Sequence, residues 1–197
     1  AYQPSRVPPG QCGEWMLSRV RLPERSGDSV PDLRPDAFRF RPGEYTELRR
    51  GGITFMTDLY DEWWTQRHAI VRARTVGGHV LITGLGLGMV VEAILATPAP
   101  AEVVSVTVLE KAPEVIALVA GYLVHQFGDR VRVIEADAYS WRPGSDLHFD
   151  TVWHDIWPDP DAENVNAEIV ALRQHHQPWS AWQGYWPIDY RAALETA

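Results

Sequence analysis

The second half of the chain alternates apolar runs with segments of helical periodicity. The apolar runs are largely continuous, which is typical of strands covered on both faces of a parallel sheet. Strand–helix alternation of this kind predicts an α/β fold with a right-handed, mainly parallel sheet. We expect strands at 79–83, 103–109, 130–134 and 149–154, and helices at 89–96, 113–127 and 162–176.

Residues 1–58 have a different pattern. Residues 38–41 alternate strictly between Phe and Arg, and Gly51-Gly52 separates two short strand-like runs. This pattern predicts a small antiparallel β-hairpin. Asp58 is a candidate N-cap for the helix that follows. We therefore divide the chain into an irregular N-terminal arm rich in Pro, Arg and Ser (1–37), a small β-hairpin unit (38–58) and an α/β domain (59–197).

The regular pattern ends early. Pro178 stops the last helix, and few residues remain for further strands. We therefore expect the sheet to be truncated at its C-terminal end. Trp179, Trp182 and Trp186 are spaced by three and four residues, which would place them on one helical face for core or interface packing.

Composition and charge narrow the partners. The 197 residues carry 18 basic and 26 acidic side chains, a net charge of −8, which disfavours nucleic acid as a partner. The longest apolar stretch, 80–96, contains Glu92 and three glycines, so we expect no membrane span. Cys12 is the only cysteine, so no internal disulfide can form and a cytoplasmic location is the default expectation.

The strongest motif is a glycine loop between the first strand and its helix, in which Gly84, Gly86 and Gly88 alternate with Leu85 and Leu87. Glycine allows a sharp turn and a close approach of the backbone to a ligand. The strand–loop–helix context favours a nucleotide-type ligand over the alternative, a tight turn without a ligand. The residue after the last glycine is Met, so the dinucleotide pattern is incomplete. An adenosine with an amino-acid or aminoalkyl tail fits better.

Acidic residues end or follow the next two strands. Glu110, with Lys111 beside it, ends the second strand, where a carboxylate can bind ribose hydroxyls. The alternative is a surface Glu at a strand end. Asp137 follows the third strand, where its carboxylate and the backbone of Ala138 could recognise an adenine edge. Alone, Asp137 would be read as an ordinary turn residue.

A third acidic segment follows the fourth strand, where ligands bind in open α/β sheets. The carboxylate of Asp155 could orient an acceptor amine and take its proton, so it is the candidate catalytic residue. Trp157 and Asp159 are further candidates for acceptor binding. Asp161 and Glu163 are better explained by the dipole of the helix that they begin. The histidines lack a metal-ligand spacing, so no metal site is predicted.

In this order, the segments resemble a class I S-adenosylmethionine-dependent methyltransferase, and more closely the spermidine synthase group of that fold. The similar stretches are 80–88, 108–111, 137–139 and 149–155, and 45–58 looks like the small N-terminal β unit of the group. The resemblance implies a Rossmann-like methyltransferase fold with S-adenosylmethionine as cofactor. It implies the following contacts: the donor tail at Gly84, Leu85, Gly86 and Gly88, the ribose at Glu110 and Lys111, the adenine at Asp137 and Ala138, and the acceptor at Asp155.

The chain departs from spermidine synthases at Leu87, where that group has an Asp, and at 64–68, which lack the group's Tyr and Glu. We therefore favour an S-adenosylmethionine-dependent group transferase, with methyl transfer preferred, acting on a small acceptor that could be an amine. The second hypothesis is an aminopropyltransferase that uses decarboxylated S-adenosylmethionine. The third is a non-catalytic relative that binds a nucleoside or a protein, for which a homodimer would be expected.

Overall fold

The computed structural model describes residues 2, 4–22, 42–158 and 163–186. Within these ranges the chain builds an antiparallel sheet and then a parallel one. Asp159 and residues 38–41, which enter the sequence predictions, lie outside the described residues. The antiparallel sheet has its strands in chain order: β1 (Gly10–Cys12), β2 (Trp15–Leu22), β3 (Gly43–Arg50) and β4 (Ile53–Thr57).

The parallel sheet and its helices follow. In chain order, the elements are α1 (Tyr60–Thr65), α2 (Arg67–Val76), β5 (Gly78–Thr83), α3 (Met89–Leu95), β6 (Val103–Glu110), α4 (Pro113–Phe127), β7 (Val131–Glu135), β8 (Thr151–His154), α5 (Val165–His176) and β9 (Gln183–Tyr185). The spatial order of the strands is β7-β6-β5-β8-β9. If the five parallel strands are numbered 1 to 5 along the chain, this order is 3-2-1-4-5, the order of a doubly wound Rossmann-like sheet. The direction in which successive strands are added reverses between β5 and β8. The predicted fold class is confirmed.

The parallel sheet is covered on both faces. Val80 and Ile82 of β5 pack in one core with residues of α2, α3 and α4. Leu81, between them, packs with residues of α5 in a second core. Because successive side chains of a strand point to opposite faces, a strand with a core on each side is apolar throughout. This explains the unbroken apolar run from which β5 was predicted.

The elements of the parallel domain agree closely with the sequence prediction. Helix α4 has the predicted bounds, with Pro113 at its first position, where a missing N–H costs no hydrogen bond. The ends of β5 to β8 differ from the predicted ends by at most two residues.

Residues 10–22 correct the prediction of an irregular arm over 1–37. They form β1 and β2, and β2 pairs along its whole length with β3, from Trp15 opposite Arg50 to Leu22 opposite Gly43. The pairing partner is distant in sequence, so the local Pro- and Arg-rich composition did not reveal it. The hairpin expected within 38–58 is present as β3 and β4, and β1 and β2 extend it to four strands.

Asp58 does not cap α1, as the sequence suggested. Helix α1 has Leu59 at its N-cap and no side-chain capping bond. The buried carboxylate of Asp58 instead accepts hydrogen bonds from the backbone N–H groups of Ser5 and Thr46, each at 2.7 Å. It therefore ties the N-terminal segment to β3. Leu17 and Leu48 of the antiparallel sheet belong to the same core as α3 and α4, so the two sheets share apolar packing.

A fifth parallel strand corrects the prediction that regular structure stops at the last helix. Strand β9 pairs with β8, with Gly184 opposite Trp153. Trp182 precedes β9 and Trp186 follows it, so the C-terminal tryptophans do not share a helical face. A three-residue strand is too short to give a periodic signal in the sequence.

Candidate functional site

A cavity of about 820 Å³ lies at the carboxyl ends of the parallel strands. Its volume is in the range of small-molecule sites, and it adjoins the point where the strand order reverses. Gly84 and Gly86 line it after β5, Glu110 at the end of β6, Asp137 after β7 and Asp155 after β8. The topology therefore brings the three acidic candidates and the glycine loop to one cavity. Residues of the antiparallel sheet form its opposite wall: Trp15, Leu48, Arg50, Phe55 and Met56.

The glycines of the loop are explained by contacts within the chain. Gly84 has a φ of 97°, and a Cβ there would collide with the carbonyl oxygen of Asp155. Gly86 has a φ of 49°, and a Cβ there would collide with the sulfur of Met56. Gly84 therefore requires glycine whether or not a ligand binds, because the colliding atom belongs to the backbone. At Gly86 the collision is with a side chain that can move, and the positive φ is what favours glycine. The requirement for glycine, taken alone, does not discriminate a ligand-binding loop from a packed turn.

Four of the five N–H groups of the loop are already hydrogen-bonded, those of Gly84 and Gly88 to backbone carbonyls and those of Leu85 and Leu87 to side chains. The Leu85 N–H donates to Glu110 Oε2 at 2.9 Å, and the Leu87 N–H donates to the Met56 sulfur at 3.3 Å. The Gly86 N–H has no acceptor among the described residues. The loop therefore offers one free donor beside the cavity, and Met56 covers a second.

Glu110 is anchored by the backbone around it. Besides the Leu85 N–H on Oε2, its Oε1 accepts from the N–H groups of Lys111 and Ala112, each at 2.8 Å. A carboxylate has about four acceptor positions, so one position, on Oε2, remains for a ligand. The position of Glu110 in the sequence predicted contacts to two ribose hydroxyls, and this arrangement leaves room for one.

Lys111 and Asp137 form an ion pair at the rim of the cavity, with Nζ and Oδ2 2.9 Å apart. The hydrogen bonds from Lys111 and from the Tyr139 N–H hold the pKa of Asp137 below its usual range. Lys111 is exposed, so the pair is accessible to solvent and contributes little to stability. Both predicted residues lie at the cavity, but they are engaged with each other.

Ala138 is buried, and its carbonyl oxygen accepts a hydrogen bond from His176 Nε2 at 2.9 Å. The other nitrogen, Nδ1, accepts from the indole N–H of Trp179 at 3.0 Å. Since an indole can only donate, the proton of His176 lies on Nε2. Burial lowers the pKa of His176 to about 4, so the ring is neutral at pH 7. The end of α5 thus fixes the loop after β7.

Asp155 lines the cavity directly after β8. Burial raises its pKa to about 7, against the lowering effect of a hydrogen bond from Gln66. That bond runs from Gln66 Nε2 to Asp155 Oδ2 at 2.8 Å. A carboxyl group that titrates near neutral pH can exchange a proton at little cost, which suits a general base. Its position and titration fit the predicted role, although the role itself stays a prediction.

Glu62 of α1 is a further acidic residue at the cavity, and it was not predicted from the sequence. Its Oε2 accepts from the N–H and the hydroxyl of Thr57, at 2.7 and 2.5 Å. Burial raises its pKa to about 7, and the charge of Asp155 adds to the rise. The sequence signal was present but ambiguous, because an acid in the first turn of a helix also stabilises the helix dipole.

Aromatic side chains line two sides of the cavity. Trp157 is buried, and its indole N–H donates to Glu168 at 3.0 Å. On the antiparallel sheet, the ring centroids of Trp15 and Phe55 are 4.8 Å apart, and the Arg50 guanidinium lies 5.7 Å from the Trp15 ring. The suspicion that Trp157 lines a pocket agrees with this geometry. The contribution of Trp15 to the cavity could not be predicted from the sequence, because residues 10–22 were not expected to form strands.

The described part of the chain contains no group of three or more His, Cys, Asp or Glu side chains that could hold a metal ion. None of its helices is long and apolar enough to cross a membrane.

Comparisons with known proteins add only a distant likeness. No family model matches the chain, and no curated protein matches it. Among solved structures, the 23S rRNA methyltransferase ErmE is 17% identical over 60% of this chain and 45% of its own, with a TM-score of 0.41. A dimethyladenosine transferase from Plasmodium falciparum is 18% identical over 60% of this chain and 39% of its own, with a TM-score of 0.44.

The N-methyltransferase NodS from Bradyrhizobium japonicum WM9, in complex with S-adenosyl-L-homocysteine, is 10% identical over 61% of this chain and 57% of its own, with a TM-score of 0.46. The matched regions thus span less than two thirds of each of these proteins. At such identities and scores the likenesses carry no functional argument. The fold class rests on the strand order itself, and the resemblance to the spermidine synthase group stays a prediction.

Proposed function

We propose that this chain is an S-adenosylmethionine-dependent group transferase, with methyl transfer preferred, acting on a small acceptor. One observation carries the proposal: the glycine loop, Glu110, Asp137 and Asp155 surround a single cavity where the strand order reverses. Each of these groups follows a different parallel strand, as expected for a nucleoside-binding site on an open α/β sheet.

The residues present fit the donor in two respects. Glu110 keeps one acceptor position for a ribose hydroxyl, and the Gly86 N–H is a donor without a partner among the described residues. The side chain of Met56 stands against this fit, because its sulfur lies on the loop amide of Leu87. A donor tail that reaches the loop would have to displace it. When bound, S-adenosylmethionine supplies an activated methyl group on a sulfonium.

In this proposal the chain's own residues orient the acceptor and manage its proton. Asp155, with a pKa raised to about 7, holds the acceptor nucleophile and takes its proton. Glu62, whose pKa is also raised to about 7, lines the same cavity, and the two acidic groups together favour a neutral or cationic acceptor over an anionic one. Alignment then supplies most of the acceleration.

Calorimetry of the purified chain tests the donor. We expect micromolar binding of S-adenosylmethionine and S-adenosylhomocysteine, and no binding of NAD. Decarboxylated S-adenosylmethionine serves as the comparator for aminopropyl transfer, and tighter binding of this ligand would favour that alternative. Failure of all three adenosyl compounds to bind at millimolar concentration would refute the proposal.

A second candidate, a non-catalytic relative, is favoured by one specific observation. The glycine loop is filled by its own chain, with Met56 against Gly86 and Leu87. In such a protein the cavity would bind a nucleoside without turnover. Incubation with methyl-labelled donor and a panel of small amines separates the two candidates, since labelled product would exclude the non-catalytic role.

A further inference from the structure

Gln66 joins the core to the cavity through two side-chain hydrogen bonds. It is the residue between α1 and α2, and its side chain is buried. Its Oε1 accepts from the indole N–H of Trp153 at 2.6 Å, and its Nε2 donates to Asp155 Oδ2 at 2.8 Å. The sequence analysis gave Gln66 no role. Its partners lie 87 and 89 residues away in the chain.

The chemistry of the partners fixes the orientation of the Gln66 amide. An indole N–H can only donate, so the group facing Trp153 must be the carbonyl oxygen. The NH2 group then necessarily faces Asp155, where a carboxylate oxygen accepts. The reversed amide would set a donor against a donor at one end and, with Asp155 ionised, an acceptor against an acceptor at the other. The Trp153 ring is fully buried in the core and is therefore a rigid reference point.

We propose that Gln66 is a positioning residue for Asp155. The Gln66 side chain is anchored on Trp153, and by donating a hydrogen bond it holds the Asp155 carboxylate in one orientation in the cavity and favours the ionised form of that group. The proposal deepens the proposed function, on which it rests for the acceptor-side role of Asp155. A hydrogen bond to a carboxylate stabilises the charged form more than the neutral one. Gln66 thus opposes the burial that raises the pKa of Asp155.

Other charged groups at the cavity enter the design of the test. The group coupled to Asp155 is Glu62 on α1, because the charge of Asp155 raises the pKa of Glu62. The remaining charged groups that line the cavity are Glu14, Arg50, Glu110, Lys111, Glu114, Asp137 and Glu168. Aspartate labelled with ¹³C at the carboxyl group removes all glutamate signals, and Asp155→Asn identifies the Asp155 resonance.

The variant Gln66→Met keeps an unbranched side chain of similar length and removes both hydrogen bonds. We expect the Asp155 titration to move upward by about one pH unit, roughly a tenfold increase in proton affinity. Gln66→Leu also removes both hydrogen bonds and adds no charge, so we expect the same upward movement of the Asp155 titration. It carries the test if Gln66→Met does not fold.

Gln183→Met is the matched control. The side chain of Gln183 is also held by hydrogen bonds, to His154 and the Arg173 carbonyl at 3.0 Å each and to Gln177 at 3.3 Å, and it does not bond Asp155. A purely structural Gln66 would lower the melting temperature, as the control does, and leave the Asp155 titration unchanged. That result in the folded variants overturns the proposal.

Binding of S-adenosylhomocysteine to the wild-type chain is measured in parallel. If the titration moves and the ligand does not bind, the proposed function fails and the link from Gln66 to Asp155 stands. If the ligand binds and the titration does not move, only the positioning role fails.

Discussion

Replacing Glu110 by Gln tests the proposed nucleoside contact at the end of β6. The wild-type carboxylate accepts three backbone N–H groups, two on Oε1 and one, from Leu85, on Oε2. An amide can keep the two bonds on its oxygen. Its NH2 group then faces the Leu85 N–H, a donor against a donor, and the glycine loop loses its anchor. The last acceptor position for a ribose hydroxyl is lost as well.

The magnitude follows from the bond that is lost. A hydrogen bond to a charged group is worth about 1.5–3 kcal/mol, and about 1.4 kcal/mol corresponds to a tenfold change in affinity. We therefore expect S-adenosylhomocysteine to bind about 10- to 150-fold more weakly to Glu110→Gln by calorimetry. Glu102→Gln, an exposed change that does not line the cavity, is the control and should bind like wild type. Unchanged affinity in a folded Glu110→Gln protein would remove Glu110 from the ligand site.

Three further predictions concern the loop and the buried histidines. In ¹³C-methyl spectra, S-adenosylhomocysteine should shift the Met56 methyl signal and leave the other two methionines nearly unchanged; a stationary Met56 signal would contradict its displacement. Gly84→Ala should destabilise the fold by more than about 1 kcal/mol in urea unfolding, because φ is 97° and its Cβ meets the Asp155 carbonyl; wild-type stability would contradict this. Burial lowers the pKa of His154 to about 3 and that of His176 to about 4, so their contribution to stability is complete above pH 6.5 and lost as pH falls. Between pH 6 and pH 4, His154→Gln should lose up to about 1.4 kcal/mol less stability per pH unit than wild type; equal slopes would show that His154 does not carry this sensitivity.

The acidic residues of the site could be predicted from the sequence because parallel strands order them. Glu110, Asp137 and Asp155 each end or follow a strand recognisable as an apolar run, and the carboxyl ends of parallel strands meet at one edge of a sheet. Their presence at one cavity therefore follows from local patterns and one topological rule. Their hydrogen bonds do not follow from it, and the backbone anchoring of Glu110 was unexpected.

The rest of the site depends on contacts that no local pattern records. Met56 reaches Leu87 across 31 positions, and Gln66 reaches Asp155 across 89. The aromatic wall around Trp15 required the pairing of β2 with β3, whose partners are distant in the chain. Nothing in the sequence marks Gln66 as a site residue, because its proposed role depends entirely on the two side chains that it contacts in space, Trp153 and Asp155.

The bond between His176 and the carbonyl of Ala138 has a consequence for the proposed adenine contact. The histidine takes one of the two lone pairs of that carbonyl, so the backbone at position 138 keeps its N–H and one acceptor position for a base. The histidine ring is itself held by the indole N–H of Trp179, so the direction of the Ala138 carbonyl is set from α5. In the proposed site, a substitution of His176 would therefore alter base recognition although His176 does not line the cavity.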